Sequence, residues 1–235
     1  MDTMDTHGMP GLGRYAVAER SFLTRTFGWM GFGLLLTALV AWYVGTPERF
    51  AAVFGANRAI IWIAFIAQLV LVFAIGGAVK RLNASLASTL FVAYSALMGL
   101  TLSGIFLMYT KASIFQTFLA TGVTFGCAAA YGAFTKKDLS SFGSLLFMLL
   151  IGLIVTSLVN VFLKSTAVTW LTSFVGLFIF TGLAAYDMQK LKQYHQSASD
   201  GSDRDRALAV GGALSLYLDF INIFLILLRF MGDRR

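Results

Sequence analysis

The sequence predicts an all-α fold: a polytopic membrane protein with seven transmembrane helices. Three observations carry that prediction. Of 235 residues, 58% are hydrophobic and only 12% charged, whereas soluble domains are close to half apolar and a quarter charged. Mean hydropathy is correspondingly high, at +0.78. The apolar residues also gather into runs of about 20, the length a helix needs to cross about 30 Å of hydrocarbon.

Six runs qualify without interruption: 27–45, 59–79, 84–109, 113–134, 141–163 and 167–187. A seventh, 207–228, is long enough but holds Asp219 and Asn222. Residues 1–26 read as a cytoplasmic tail, 27–230 as the seven-helix transmembrane domain and 231–235 as a short basic tail. Asp2, Asp5 and Glu19 argue against a transit peptide, and the first run is long enough to stay as a span. Connections are short except for 188–206, "MQKLKQYHQSASDGSDRDR", whose Ser, Asp and Gly content reads as a solvated loop.

The net charge of +7 arises from 18 Lys and Arg against 11 Asp and Glu. The cations sit singly or in pairs between apolar runs, a pattern of membrane orientation and not of nucleic-acid binding. With the N-terminus cytoplasmic, that side holds eleven of them: Arg14, Arg20, Arg25, Lys80, Arg81, Lys136, Lys137, Lys190, Lys192, Arg204 and Arg206. The opposite loops hold four, Arg49, Arg58, Lys111 and Lys164. A full seventh crossing places Arg229, Arg234 and Arg235 outside, against the positive-inside rule. The last helix therefore either spans despite its basic end or re-enters and returns.

Several features read as structural. Gly122 and Gly126 form a GxxxG whose ordinary role is internal helix packing, and Gly28, Gly31 and Gly33 cluster in the first span. Trp29, Trp42, Trp62, Trp170, Tyr109 and Tyr186 lie near run ends, where interfacial anchors belong. Cys127 is alone, so it makes neither an intramolecular disulfide nor a metal site by itself. His7 and His195 lie in the tail and the polar loop, so no Ser–His pair or histidine cluster falls in the membrane. The last span has no mid-helix lysine for a Schiff base, and no Gly-rich phosphate loop follows a strand. The sequence reads as neither an enzyme nor a holder of a resident cofactor.

What remains is ionisable. Asp219 lies inside "LYLDFINIFL", and an acid within a span is costly enough to imply a function. Gly212, Ser215, Asp219 and Asn222 share one narrow helical face, while the rest of that helix is Leu, Ile and Phe. Such a helix belongs inside a bundle. Asp187 ends the sixth run, three residues before Lys190, so an exposed ion pair on its own helix is the competing account. Arg81 emerges at the same membrane face as Asp187, either as a partner or as an orientation charge. Gln68 in the second span is a pathway-lining residue or an interhelical hydrogen bond.

Three stretches in order, "YSALMGLTLSGIF" (94–106), "AAYDMQKLK" (184–192) and "LSLYLDFINIFLILLR" (214–229), resemble the Bax inhibitor-1 family, also called the transmembrane Bax inhibitor motif family. The match looks like a bacterial member. The resemblance implies seven helices with the C-terminal one central and wrapped by the other six, in a bacterial inner membrane. It implies a pH-sensitive calcium leak in which aspartates at the positions of Asp187 and Asp219 form the pH sensor, and an arginine at the position of Arg81 latches the first of them. The polar loop 188–206 is longer than the family pattern.

Depth sets a difficulty. At 1.5 Å per residue Asp219 falls near mid-membrane and Asp187 at its edge, a gap on the order of 15 Å. If the acids do meet, they cannot both ionise cheaply and must titrate together. Calcium, as the permeating ion, prefers six to eight oxygen ligands, and Asp187, Asp219, Ser215, Asn222, carbonyls and water supply a weak site. Two other classes stand beside this one: a proton-coupled transporter of a small solute, and a non-conducting regulator that binds other membrane proteins.

Overall fold

The computed structural model describes residues 10–55, 57, 59–195 and 202–235. Its helices are α1 (Pro10–Val44), α2 (Pro47–Phe54), α3 (Ala59–Lys80), α4 (Ala84–Leu102), α5 (Ile105–Met108), α6 (Lys111–Phe134), α7 (Ser140–Leu163), α8 (Thr166–His195) and α9 (Asp203–Met231). Seven segments are long and apolar enough to cross a membrane, α4 and α5 together making the third.

Local chemistry sets the breaks. Thr46, Asn83 and Thr110 cap α2, α4 and α6 by accepting backbone N–H bonds from Arg49, Leu86 and Ser113. Leu82 and Lys164 adopt left-handed φ values of 56° and 52°, turning the chain sharply after α3 and α7. The third span breaks at Ser103–Gly104 within "GLTLSG". There the Ser103 hydroxyl donates to the Leu100 carbonyl at 2.6 Å, satisfying one backbone group that the break releases.

The core is built on α9, which packs against α1, α3, α4, α6 and α8; α7 rests on α8. Within its span 61% of α9 is buried, against 6% of α7. The implied wrap of six helices is thus five in direct packing and one outside. The outer faces carry Phe73, Phe134 and Phe162, all largely exposed, as lipid contact requires.

Several expectations are revised. The first helix begins well before the apolar run, and Phe22 and Thr26 of the expected tail are buried against the bundle. The expected loop 188–206 is largely helix: α8 runs on to His195 and α9 starts at Asp203. Met188 and Leu191 are buried because this end of α8 still packs on α9. Residues 1–9, which include His7, and 196–201 lie outside the described residues. Gly122 and Gly126 look outward with nothing near their absent Cβ atoms, so their GxxxG is not an internal contact. Tyr109 is buried under Gly232 and is no exposed anchor.

The course of the last helix is decided as well. It runs unbroken, and its end joins the turn before α6: Thr110 N–H donates to Asp233 O at 3.1 Å and Arg235 N–H to Met108 O at 3.0 Å. That turn lies at the opposite end of the bundle from Asn83, so α9 crosses completely.

Candidate functional site

The α8–α9 hairpin brings the acids together. Its register can be followed along its length: Leu191 fills the space over Gly212, Ser215 faces Asp187, Ile226 lies over Gly176, and Arg229 donates to Ser173 Oγ at 2.6 Å. In that register Asp219 lies opposite Leu183, four residues from Asp187. Four residues are about one turn, about 6 Å along the axis. The gap of about 15 Å expected from hydropathy is therefore corrected. It assumed that the end of the apolar run marked the membrane edge, whereas α8 continues through Met188, Leu191 and beyond. Asp187 and Asp219 lie within electrostatic range of each other.

Their surroundings differ. Asp219 is 5% exposed, and its Oδ2 has no hydrogen-bond partner. Leu216, Tyr217, Phe220 and Ile223 around it are buried in the same core. Asp187 is half-buried, faces the Ser215 hydroxyl, and feels Lys190 one turn further along its own helix. Lys190 also lies over the Tyr186 ring, 5.7 Å from its centroid. Asn222 turns its amide back, donating to the Leu218 carbonyl at 2.8 Å, which leaves Oδ1 as the acceptor.

The two other sequence candidates stand apart from the pair. Arg81 follows the last residue of α3, is exposed, and makes no ion pair with Asp187. The left-handed turn at Leu82 ends the helix there, and the cation acting on Asp187 is Lys190. Gln68 is an interhelical clamp: its Nε2 donates to the Leu97 carbonyl at 3.2 Å and to Thr101 Oγ1 at 2.8 Å, tying α3 to α4.

Sequence reading missed a second polar feature. Thr37 Oγ1 donates to the Ser95 carbonyl at 2.8 Å, which spends its single proton. Tyr217, 2.6 Å away, must then donate to Thr37. This relay joins α9 to α1 and α4, with Tyr94 edge-on to the Tyr217 ring. A Tyr two residues before the intramembrane acid was the available signal. Asp205 was also missed: read as loop, it is 6% exposed in the first turn of α9, where the helix dipole favours an acid.

Small residues permit the approach of the helices that hold the site. Gly132 of α6 abuts the Ala185 backbone of α8, two residues before Asp187. Gly99 meets the Thr37 carbonyl, and Gly143 lies under the Tyr186 ring. Gln189 accepts from Leu139 N–H and donates to the Lys137 carbonyl, both at 2.8 Å, and Lys192 Nζ donates to the Ala133 carbonyl at 2.7 Å. The Asp187 end of α8 is thus fixed to α6 and the start of α7. Among the described residues no three of His, Cys, Asp and Glu come together as a metal cluster.

A seven-span bundle around a helix bearing a buried carboxylate defines a class: polytopic membrane proteins with an intramembrane acid pair. Comparison with known proteins makes this specific. Residues 19–235 match the family described as "Inhibitor of apoptosis-promoting Bax1". The chain is 46% identical over 217 residues to "Inner membrane protein YbhL" of Escherichia coli (strain K12), covering 92% of this chain and 93% of that one. It is 42% identical to an uncharacterized protein of Borreliella burgdorferi (92% and 94% covered). It is 40% identical to the uncharacterized protein RP147 of Rickettsia prowazekii (92% and 91% covered). The chain belongs to the Bax inhibitor family.

Proposed function

We propose that this protein is a pH-sensitive calcium leak of a bacterial inner membrane, gated by protonation of the Asp187–Asp219 pair. The observation that carries this reading is the pair itself: two carboxylates about one turn apart, one of them with an orphaned oxygen, inside a bundle. Two acids in a poorly solvated site cannot both ionise cheaply, so proton uptake there is coupled and alters the charge that a cation meets. Asp187, Asp219, Ser215 and Asn222 Oδ1 offer oxygen ligands, too few for a tight calcium cage, which suits permeation, since an ion must leave as well as enter.

Arg25, Lys80, Arg81, Lys136, Lys137, Lys190, Lys192 and Arg206 gather toward one end of the bundle, which supports a cytoplasmic N-terminus. A relative named as an inner membrane protein supports the location. In this arrangement Lys190 restrains Asp187, and Arg81 serves as the latch only by swinging toward it.

The test is calcium flux into liposomes holding the purified protein, across a pH series. Flux that varies with pH in the wild type and flattens in Asp219→Asn and Asp187→Asn supports the reading. Flux unchanged in both variants at every pH refutes it. Arg81→Ala and Lys190→Ala separate the two cations: whichever restrains the gate raises leakage at neutral pH when removed. Absent flux in the wild type would favour a non-conducting regulator, and flux saturating with an organic solute a transporter.

A further inference from the structure

A cavity of about 480 Å³ opens between α1, α4 and α9, at the end of the bundle where α4 and α9 begin. It is separate from the acid pair: Val210, its lining residue on α9 nearest to them, lies five residues before Ser215 and nine before Asp219, about 13 Å along the axis from that acid. Arg25 and Trp29 of α1, Ser85 and Ser88 of α4, and Asp203 and Arg206 of α9 line it. Arg206 meets Asp203 at 3.8 Å, but both side chains are mostly exposed, 62% and 79%. A pair so solvated is worth little, and Arg206 can turn to another anion at small cost. Among the described residues nothing forms an ion pair with Arg25, so its charge is uncompensated.

The other walls have the same preference. Asn83 caps α4 through Leu86 N–H alone, leaving the first-turn N–H groups of Ala84 and Ser85 without a helical acceptor. Ser88 spends its proton on the Ser85 carbonyl at 3.0 Å, whereas the Ser85 hydroxyl opens on the cavity. One carboxylate against two guanidinium groups disfavours a cation. Further along α1, Phe32 and Leu35 are exposed apolar side chains, available to acyl chains.

We propose that this cavity binds a phosphate-bearing anion, held by Arg25 with Arg206 and Ser85 around it. Basic pockets between spans at a membrane face take acidic lipid headgroups, and Trp29 supplies the amphipathic ring such a depth favours. A free phosphate shares this chemistry, and the experiment distinguishes the two sources.

The full chain, purified in neutral detergent, is titrated with phosphatidylglycerol, phosphatidylcholine or inorganic phosphate, with lipid retention read by native mass spectrometry and anion binding by thermal shift. The wild type retains phosphatidylglycerol in preference to phosphatidylcholine. Arg25→Gln weakens that retention about fivefold, the worth of one cation beside an anionic headgroup. Arg25→Lys restores it, and Arg49→Gln at the opposite face leaves it unchanged. A response to phosphatidylglycerol alone assigns the site to a lipid headgroup, and an Arg25-dependent shift with phosphate alone assigns it to the free anion. If Arg25→Gln does not fold, Arg206→Gln replaces it. Equal retention of the two lipids with no phosphate shift, or binding indifferent to both arginines, overturns the proposal.

Discussion

Asp187 and Asp219 lie about one helical turn apart across the α8–α9 hairpin, with Ser215 beside the first and no hydrogen-bond partner at Oδ2 of the second. The two acids are therefore unequal. Asp187 has Ser215 and Lys190; Asp219 is held in place by the packing of the helix that carries it.

That inequality predicts opposite effects on stability. An unsatisfied buried polar group costs about 1–3 kcal/mol, so Asp219→Leu, which fills a similar space without a polar atom, stabilises the bundle while removing the acid. Asp187→Leu loses its Ser215 and Lys190 contacts and brings no such gain. Thermal unfolding in detergent reads both. A destabilised Asp219→Leu would mean that the orphaned oxygen is satisfied by something else, such as water.

The glycines of α6 divide by environment. A Cβ at Gly132 meets the Ala185 backbone, which cannot rotate away. Gly132→Ala should cost about 1–3 kcal/mol, the usual range for overpacking, and displace α8 beside Asp187. Gly126→Ala meets nothing within 4 Å and should be neutral or slightly stabilising. Unfolding midpoints of the two variants, measured together, check the contrast.

The Thr37–Tyr217 relay should behave as one unit. Tyr217→Phe and Thr37→Val each remove the bond between α9 and α1, and the coupling in a double-mutant cycle should be about 0.6–1.7 kcal/mol, as for interhelical bonds in membranes. Thr37→Val costs more than Tyr217→Phe, because it also removes the side-chain bond from α1 to the Ser95 carbonyl. Strict additivity would show that the bond does not couple the two helices.

Outside the spans, Asp138 gives a pH signature. Its carboxylate accepts from Ser140 N–H at 2.9 Å, and bonds from the Ser140 side chain and backbone hold its pKa below the ordinary aspartate value. Because the folded value is lowered, the contribution is present above the unfolded pKa, about 3.9, and disappears as pH falls through the folded one. Asp138→Asn should therefore lower the unfolding midpoint at neutral pH and match the wild type near pH 2. An equal deficit at both pH values would contradict the assignment.

How much of this was legible beforehand depends on the residue. Run lengths located all seven spans, most ends to within four residues, because the bilayer imposes a length on any helix crossing it; the start of the first span and the end of the sixth lie six residues beyond their runs. Helix ends beyond the apolar runs were not legible. Residues 188–195 are polar enough to read as loop, yet Met188 and Leu191 keep α8 packed on α9. Gln68 satisfied both of its sequence readings until Leu97 and Thr101 claimed its amide.

By itself the sequence determined that this chain lives in a membrane, that seven of its segments are long enough to cross it, and that Asp219 is held inside where water is scarce. Those follow from local composition and period. Only the tertiary structure decided that Asp187 reaches Asp219, that Arg81 stands clear of it, and that the last helix crosses fully. Each depends on register between helices distant in sequence, and hydropathy, which averages along one chain segment, carries no register.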